Sequence, residues 1–127
     1  MSGLEWVIEA YGCSAQKLRD LAVMRCLFAA LIGDLDLRVV GDVVWHQFPE
    51  AGGITGLALL TESHLACHTF PEHESICLNL FSCRPHARWD FDGQLRLFLS
   101  AKAVRVRSLE RNYEASEEDL AAGRGAS

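Results

Sequence analysis

The chain has 127 residues, a mass of 14.1 kDa and a net charge of −5 from 12 basic and 17 acidic side chains. Half of the residues are apolar and 23% are charged, which excludes a collagen, a disordered chain and a coiled coil. The length suits one domain with a real core, and the acidic balance makes a nucleic-acid backbone a poor partner. Met1-Ser2-Gly3-Leu4 opens with no basic stretch leading into an apolar one. The best apolar run, residues 26–33, is too short to cross a bilayer, so no membrane partner is expected. The five cysteines are odd in number and form no Cys-x-x-Cys pair, which fits a reduced cytoplasmic setting.

In chain order, residues 4–11 alternate loosely and read as a strand closed by Tyr11-Gly12-Cys13. Ser14 is positioned to cap a helix over about residues 15–32, stopped by Gly33. Leu18, Leu21, Val23, Met24, Leu27, Phe28 and Leu31 give it a broad apolar face. Residues 38–48 are β-branched and read as a strand, followed by a turn at Pro49-Glu50-Ala51-Gly52-Gly53. Strands follow at 54–62, 65–70 and 75–83, with a bend expected near Ser63, a stop at Pro71 and a break at Arg84-Pro85. Residues 90–101 read as a helix carrying Phe91, Leu95, Phe98 and Leu99 on one side. Residues 103–109 read as the last strand, and from about 113 the chain is polar and small, a flexible tail. The order β-α-β-β-β-β-α-β predicts an α+β two-layer sandwich, a mainly antiparallel sheet with helices on one face.

The chemistry concentrates in Thr61-Glu62-Ser63-His64-Leu65-Ala66-Cys67-His68-Thr69-Phe70-Pro71-Glu72 and Leu78-Asn79-Leu80-Phe81-Ser82-Cys83. The residue types alone leave three readings open. In the first, this is a core hairpin with Cys67, Cys77 and Cys83 buried and His68 a satisfied strand histidine. In the second, histidines and cysteines bind zinc, although His64 and His68 have helical spacing in a strand and no ligand knuckle is present. In the third, His68 lowers the pKa of Cys83 to make a nucleophilic thiolate. Alternation puts His68 with Ala66 and Phe70, and Cys83 with Cys77, Asn79 and Phe81. The two groups share a pocket if those faces coincide. Ser63 falls with Leu65 on the opposite side, which a bend at Ser63-His64 has to correct.

Glu62-Ser63-His64-Leu65, His68-Thr69-Phe70-Pro71-Glu72 and Leu80-Phe81-Ser82-Cys83 resemble the short prokaryotic S-adenosylmethionine decarboxylase proenzyme family. Tyr11-Gly12-Cys13, Trp45-His46-Gln47-Phe48 and Gly53-Ile54-Thr55-Gly56 extend the resemblance over nearly all of residues 4–109. It implies one domain over residues 1–112 that cuts itself between Glu62 and Ser63, giving a β chain 1–62 and an α chain 63–127. The Ser63 hydroxyl would attack the Glu62 carbonyl, the peptide would become an ester, and elimination would leave a pyruvoyl group at position 63. Such a ketone forms a Schiff base with the substrate amine and accepts electrons as carbon dioxide leaves. The resemblance gives His68 the role of base and Cys83 that of proton donor. It places Phe48 and Phe70 against the adenine, Glu72 against the ribose, and Glu9 where a carboxylate answers a cationic substrate. It implies a homodimer of processed αβ units, a product that feeds polyamine synthesis, and no metal.

The chain departs from the family's pattern beside the pocket. Glu5-Trp6 stands where a histidine is usual, Phe70 replaces a tryptophan, and His73-Glu74-Ser75 replaces an aromatic-Gly-aromatic run. Asn79 replaces an acid and Arg84-Pro85 a glycine. Pyruvoyl-dependent decarboxylation of arginine or ornithine, and an uncleaved non-catalytic homologue, therefore stand as alternatives to S-adenosylmethionine decarboxylation.

Overall fold

A computed structural model describes residues 2–83 and 88–125; the break expected at Arg84-Pro85 lies outside them. Among the described residues six strands form one antiparallel sheet. They are β1 (Ser2–Tyr11), β2 (Val44–Gln47), β3 (Ile54–Leu60), β4 (Ser63–Phe70), β5 (Ser75–Ser82) and β6 (Ala103–Asn112), in the order β2-β3-β4-β5-β1-β6. Alternation sets the two faces. One carries Ile8, Ala10, Ile54, Ala58, Leu65, Cys67, Ile76, Leu78 and Leu80, all buried in the core. Helices α1 (Ala15–Leu18), α2 (Leu21–Asp34) and α3 (Phe91–Leu99) contribute Leu18, Met24, Leu27, Phe28, Leu31, Phe91, Leu95 and Leu99 to that core. The expected two-layer α+β sandwich is the observed one.

The differences from expectation are local. The helix expected over 15–32 is two helices, because the Asp20 carboxylate caps a new start by accepting from the Ala22 and Val23 amides. Gly33 does not stop α2, which runs one residue further. Of the strand expected over 38–48 only Val44–Gln47 pairs regularly; Val39 makes one isolated bridge to Leu60, and Gly41 turns the chain at φ 73°. No bend interrupts the chain at Ser63-His64: the turn is at Thr61-Glu62, and β4 starts with Ser63. The last strand runs three residues past the expected end, to Asn112. The tail expected to be flexible contains helix α4 (Glu117–Gly125), whose acidic first turn suits the positive end of a helix.

Two contacts hold β3 and β4 in place. The buried Thr69 hydroxyl accepts from the Ile54 amide at 2.8 Å and donates to the Leu18 carbonyl at 2.9 Å, tying α1 to both strands. Gly56 gives up its side chain to Trp45: a Cβ there would lie 2.4 Å from the indole, which also packs on Phe28 at 4.7 Å. Among the described residues no helix packs into a core on the other face of the sheet. That face presents Leu57 and Leu59 from β3, Phe70 from β4 and Leu109 from β6, all exposed.

Candidate active site

Of the residues to which the resemblance gives a role, all except Glu62, Ser63 and Glu72 stand on the open face or at its rim. Within one chain they fall into separate groups. The β4–β5 hairpin turns through the short helical turn Pro71–His73 and Glu74, which takes the left-handed φ of 52°. Counting outward from that turn pairs His68 with Cys77, His64 with Phe81 and Ser63 with Ser82. Cys83 follows, and its amide donates to the Glu62 carbonyl at 3.1 Å.

The first group surrounds the Glu62–Ser63 peptide. Thr61, Glu62 and Ser63 line a cavity of about 410 Å³ with Asp36, Leu37, Arg38 and Ser82. Ser63 thus faces the helix side of the sheet, as its parity requires, whereas Cys83 is exposed and follows the open-face parity of Cys77, Asn79 and Phe81. The Glu62 carbonyl is already polarised by the Cys83 amide. A hydroxyl residue at a turn, next to a carbonyl held by an N–H donor, can carry an N-to-O acyl shift.

The second group surrounds His68. Its Nδ1 lies 3.1 Å from the Thr55 hydroxyl, which fixes the exposed ring and leaves Nε2 for another partner. Cys77 stands directly across on β5 and Glu9 beyond it on β1. Arg107 donates to Glu9 Oε1, while Oε2 is buried and has no hydrogen-bond partner among the described residues. Burial, then the Glu9 charge, pushes the Cys77 thiol pKa up.

His68 and Cys83 do share a face, but not a pocket of one chain. Ser63 and His68 are five residues apart on one strand, roughly 16 Å at about 3.3 Å per residue. Cys83 lies six residues beyond the partner of His68, roughly 20 Å away on the same rise. Alternation reports the face; register decides the distance.

Between the groups runs a polar chain that the sequence did not reveal. Arg111 donates to Glu5 Oε1 at 2.7 Å, Asn79 donates to Glu5 Oε2 at 2.8 Å, and His64 Nε2 meets Asn79 Oδ1 at 2.9 Å. The His64 ring stacks on Phe81. The Asn79 hydrogen bond, then Arg111, holds the Glu5 carboxyl below the ordinary carboxylate range. Asn79, met in the sequence as a departure, is thus the link between a histidine and an ion pair.

Phe48 and Phe70 stand at neighbouring strand ends. The Phe48 amide donates to the Gly53 carbonyl, and the register continues Gly53 opposite Phe70. Two strand spacings separate the two phenylalanines, about 10 Å, and both rings are exposed. Glu72 follows in the exposed turn after Pro71. Of the three cysteines expected as core in the first reading, only Cys67 is buried, its pKa pushed up to about 12 by burial. Cys77 is exposed because odd positions of β5 point away from the helices, and Cys83, just past the strand, is exposed as well. Among the described residues no three His, Cys, Asp or Glu side chains gather as metal ligands, and no helix is long and apolar enough to cross a membrane.

Comparison with known proteins gives the family by sequence and the fold by structure. The family model for S-adenosylmethionine decarboxylase matches residues 4–112. An S-adenosylmethionine decarboxylase proenzyme of Synechococcus sp. (strain WH7803) is 31% identical over 126 residues, covering 90% of this chain and 97% of that one. Another from Prochlorococcus marinus (strain MIT 9313) is 32% identical over 117 residues, covering 91% and 92%. The crystal structure of the adenosylmethionine decarboxylase from Aquifex aeolicus VF5 shares the fold with a TM-score of 0.70, at 23% identity over 91% of this chain and 97% of that chain.

Proposed function

The chain belongs to the S-adenosylmethionine decarboxylase family, and on that premise we propose that it cuts itself at Glu62–Ser63 and decarboxylates S-adenosylmethionine with the group so made. The product is an aminopropyl donor for polyamine synthesis. The observation that carries the cleavage is the 3.1 Å hydrogen bond from the Cys83 amide to the Glu62 carbonyl.

Ser63 Oγ attacks the Glu62 carbonyl carbon, and the oxygen that gains charge keeps its Cys83 N–H donor throughout. The C–N bond breaks and an ester to the Ser63 oxygen forms. Loss of the Ser63 α-proton expels the Glu62 carboxylate and leaves a dehydroalanine. Water then replaces its nitrogen, which departs as ammonia, and residue 63 becomes a pyruvoyl group. When present, that group supplies an electrophilic carbonyl that takes up electrons as carbon dioxide leaves. Cleavage also makes residue 63 a chain end. It is then free to turn from the helix side to the open face, where Cys83 holds a thiol proton for the substrate carbon.

The base for cleavage is His68, held by Thr55, and it acts from a second copy. A copy laid on the open face with its β4 reversed would bring each His68 to the open-face side of the other chain's Glu62–Ser63 peptide, and the Ser63 hydroxyl has to turn from the helix side to meet it. The same contact covers Leu57, Leu59 and Leu109, which gives the apolar half of the face a reason to exist. Arg107 and Arg111 already neutralise Glu9 and Glu5 on that face, which lowers the cost of covering it. The active unit is then a homodimer of processed chains.

Phe48 and Phe70, both exposed, offer flat faces on which the adenine stacks. Glu72 accepts from ribose hydroxyls beside them, and the Glu9 carboxylate answers the positive charge of the substrate. Release of labelled carbon dioxide from carboxyl-labelled S-adenosylmethionine tests this reading. Release from arginine or ornithine, with none from S-adenosylmethionine, would overturn it.

A further inference from the structure

Tyr113 follows β6 in the stretch whose composition reads as a tail, yet it turns back onto the sheet. Its hydroxyl lies over Gly3 and is close enough to interact with the Cys83 side chain. The contact is built into β1 as well. Gly3 pairs with Arg111 on β6, stands one step past the Leu4–Ser82 pair toward Cys83 just after β5, and is buried although it has no side chain. A Cβ at Gly3 would lie 2.1 Å from the Tyr113 hydroxyl oxygen and 3.0 Å from the ring carbon that bears it. Only glycine there lets the phenol reach the thiol. The open face thus carries a tyrosine clamp at the end that holds residues 62, 63 and 83.

We propose that Tyr113 is a positioning residue for Cys83: its O–H donates to the sulfur, fixes the thiol rotamer and stabilises the thiolate left when Cys83 gives up its proton. This rests on the reading of Cys83 as the proton donor. The step balances simply: the S–H bond breaks, a C–H bond forms on the substrate carbon, and the sulfur keeps the electron pair against the Tyr113 O–H. Solvent then returns the proton to sulfur. A phenol suits the task because it stays protonated where a thiol ionises. The hydrogen bond to Cys83, then burial, pushes the Tyr113 pKa up further. The other charged or titratable groups at this end are Arg111 on β6, Glu5 on β1, Glu62 in the turn before β4 and His64 on β4. None of them is altered by Tyr113→Phe.

The test follows alkylation of Cys83 by iodoacetamide from pH 6 to 10 in the full chain, read at the peptide level, with Cys26 and Cys77 as internal references. Tyr113→Phe removes a donor to the thiolate, so the Cys83 midpoint is expected to rise by about one pH unit while the references stay put. Gly3→Ala displaces the phenol by another route, so it is expected to give the same shift, with no further shift in the double variant. A Cys83 midpoint unmoved by Tyr113→Phe would overturn the proposal, and so would a shift shared by Cys26 and Cys77. Failure of the underlying reading has a different appearance. The midpoint would still move, but Cys83→Ser would turn over S-adenosylmethionine at the wild-type rate.

Discussion

Co-expression of two inactive chains tests the shared site quantitatively. In one chain His68 is changed to Ala, in the other Cys83 is changed to Ala. Expressed alone, the first lacks the base at both sites of its dimer, and the second lacks the proton donor at both. The single-chain separation of roughly 16 Å between Ser63 and His68 is several times hydrogen-bond reach, so no side-chain rotation rescues a one-chain site. In a mixed dimer the His68→Ala chain meets an intact His68 from its neighbour, and one of the two sites is whole. Random pairing makes about half of all dimers mixed, so about a quarter of the wild-type sites should be active. About half of the His68→Ala chains should also be cut, against none when that chain is made alone. Mass spectrometry separates the two chains and counts the cleavage, and carbon dioxide release counts the sites. Activity and cleavage no greater than the sum of the two separate preparations would refute the two-chain site and leave His68 with a role inside its own chain.

Thr69→Val keeps the shape of a buried side chain but leaves the Ile54 amide and the Leu18 carbonyl without their partner, so chemical denaturation should show a loss of about 2–4 kcal/mol. Glu5 titrates lower in the fold than unfolded, so its stabilisation is complete above the ordinary carboxylate range and fades as pH falls through it. Glu5→Gln should therefore be less stable than the parent at pH 7 and lose less on acidification, and urea midpoints between pH 3 and 7 that fall in parallel would contradict this. Burial pushes the thiol pKa of Cys13 to about 11 and that of Cys67 to about 12. Both should resist alkylation at pH 7.5 until the chain is unfolded, whereas the exposed Cys26 reacts in the native protein.

Much of this molecule is legible in its sequence because alternation and apolar periodicity follow burial directly. The strands around Ile8, Ala58, Leu65 and Leu78, and the helix face of Met24, Leu27, Phe28 and Leu31, are read from side-chain type alone. Errors arise where a local capping or turn choice decides. Asp20 starts a new helix inside an apolar stretch, and Val39 and Val40 have strand chemistry without a continuous partner strand. The site divides in the same way. That His68 and Cys83 share a face is legible; that they lie far apart depends on the four-residue turn from Pro71 to Glu74, which fixes the register. Thr55, Asn79 and Tyr113 escaped because their roles are pairwise. Each acquires meaning from a residue distant in sequence: His68, Glu5 and Cys83 respectively.

A chain that makes its own reactive group from Ser63 must carry the change in the mass of the purified protein. Two fragments meeting between residues 62 and 63 are expected. The second should be lighter than a chain starting with serine by one molecule of ammonia, and Ser63→Ala should remain whole. A wild-type chain that stays intact after prolonged incubation, or a second fragment that begins with an unmodified serine, would contradict that expectation.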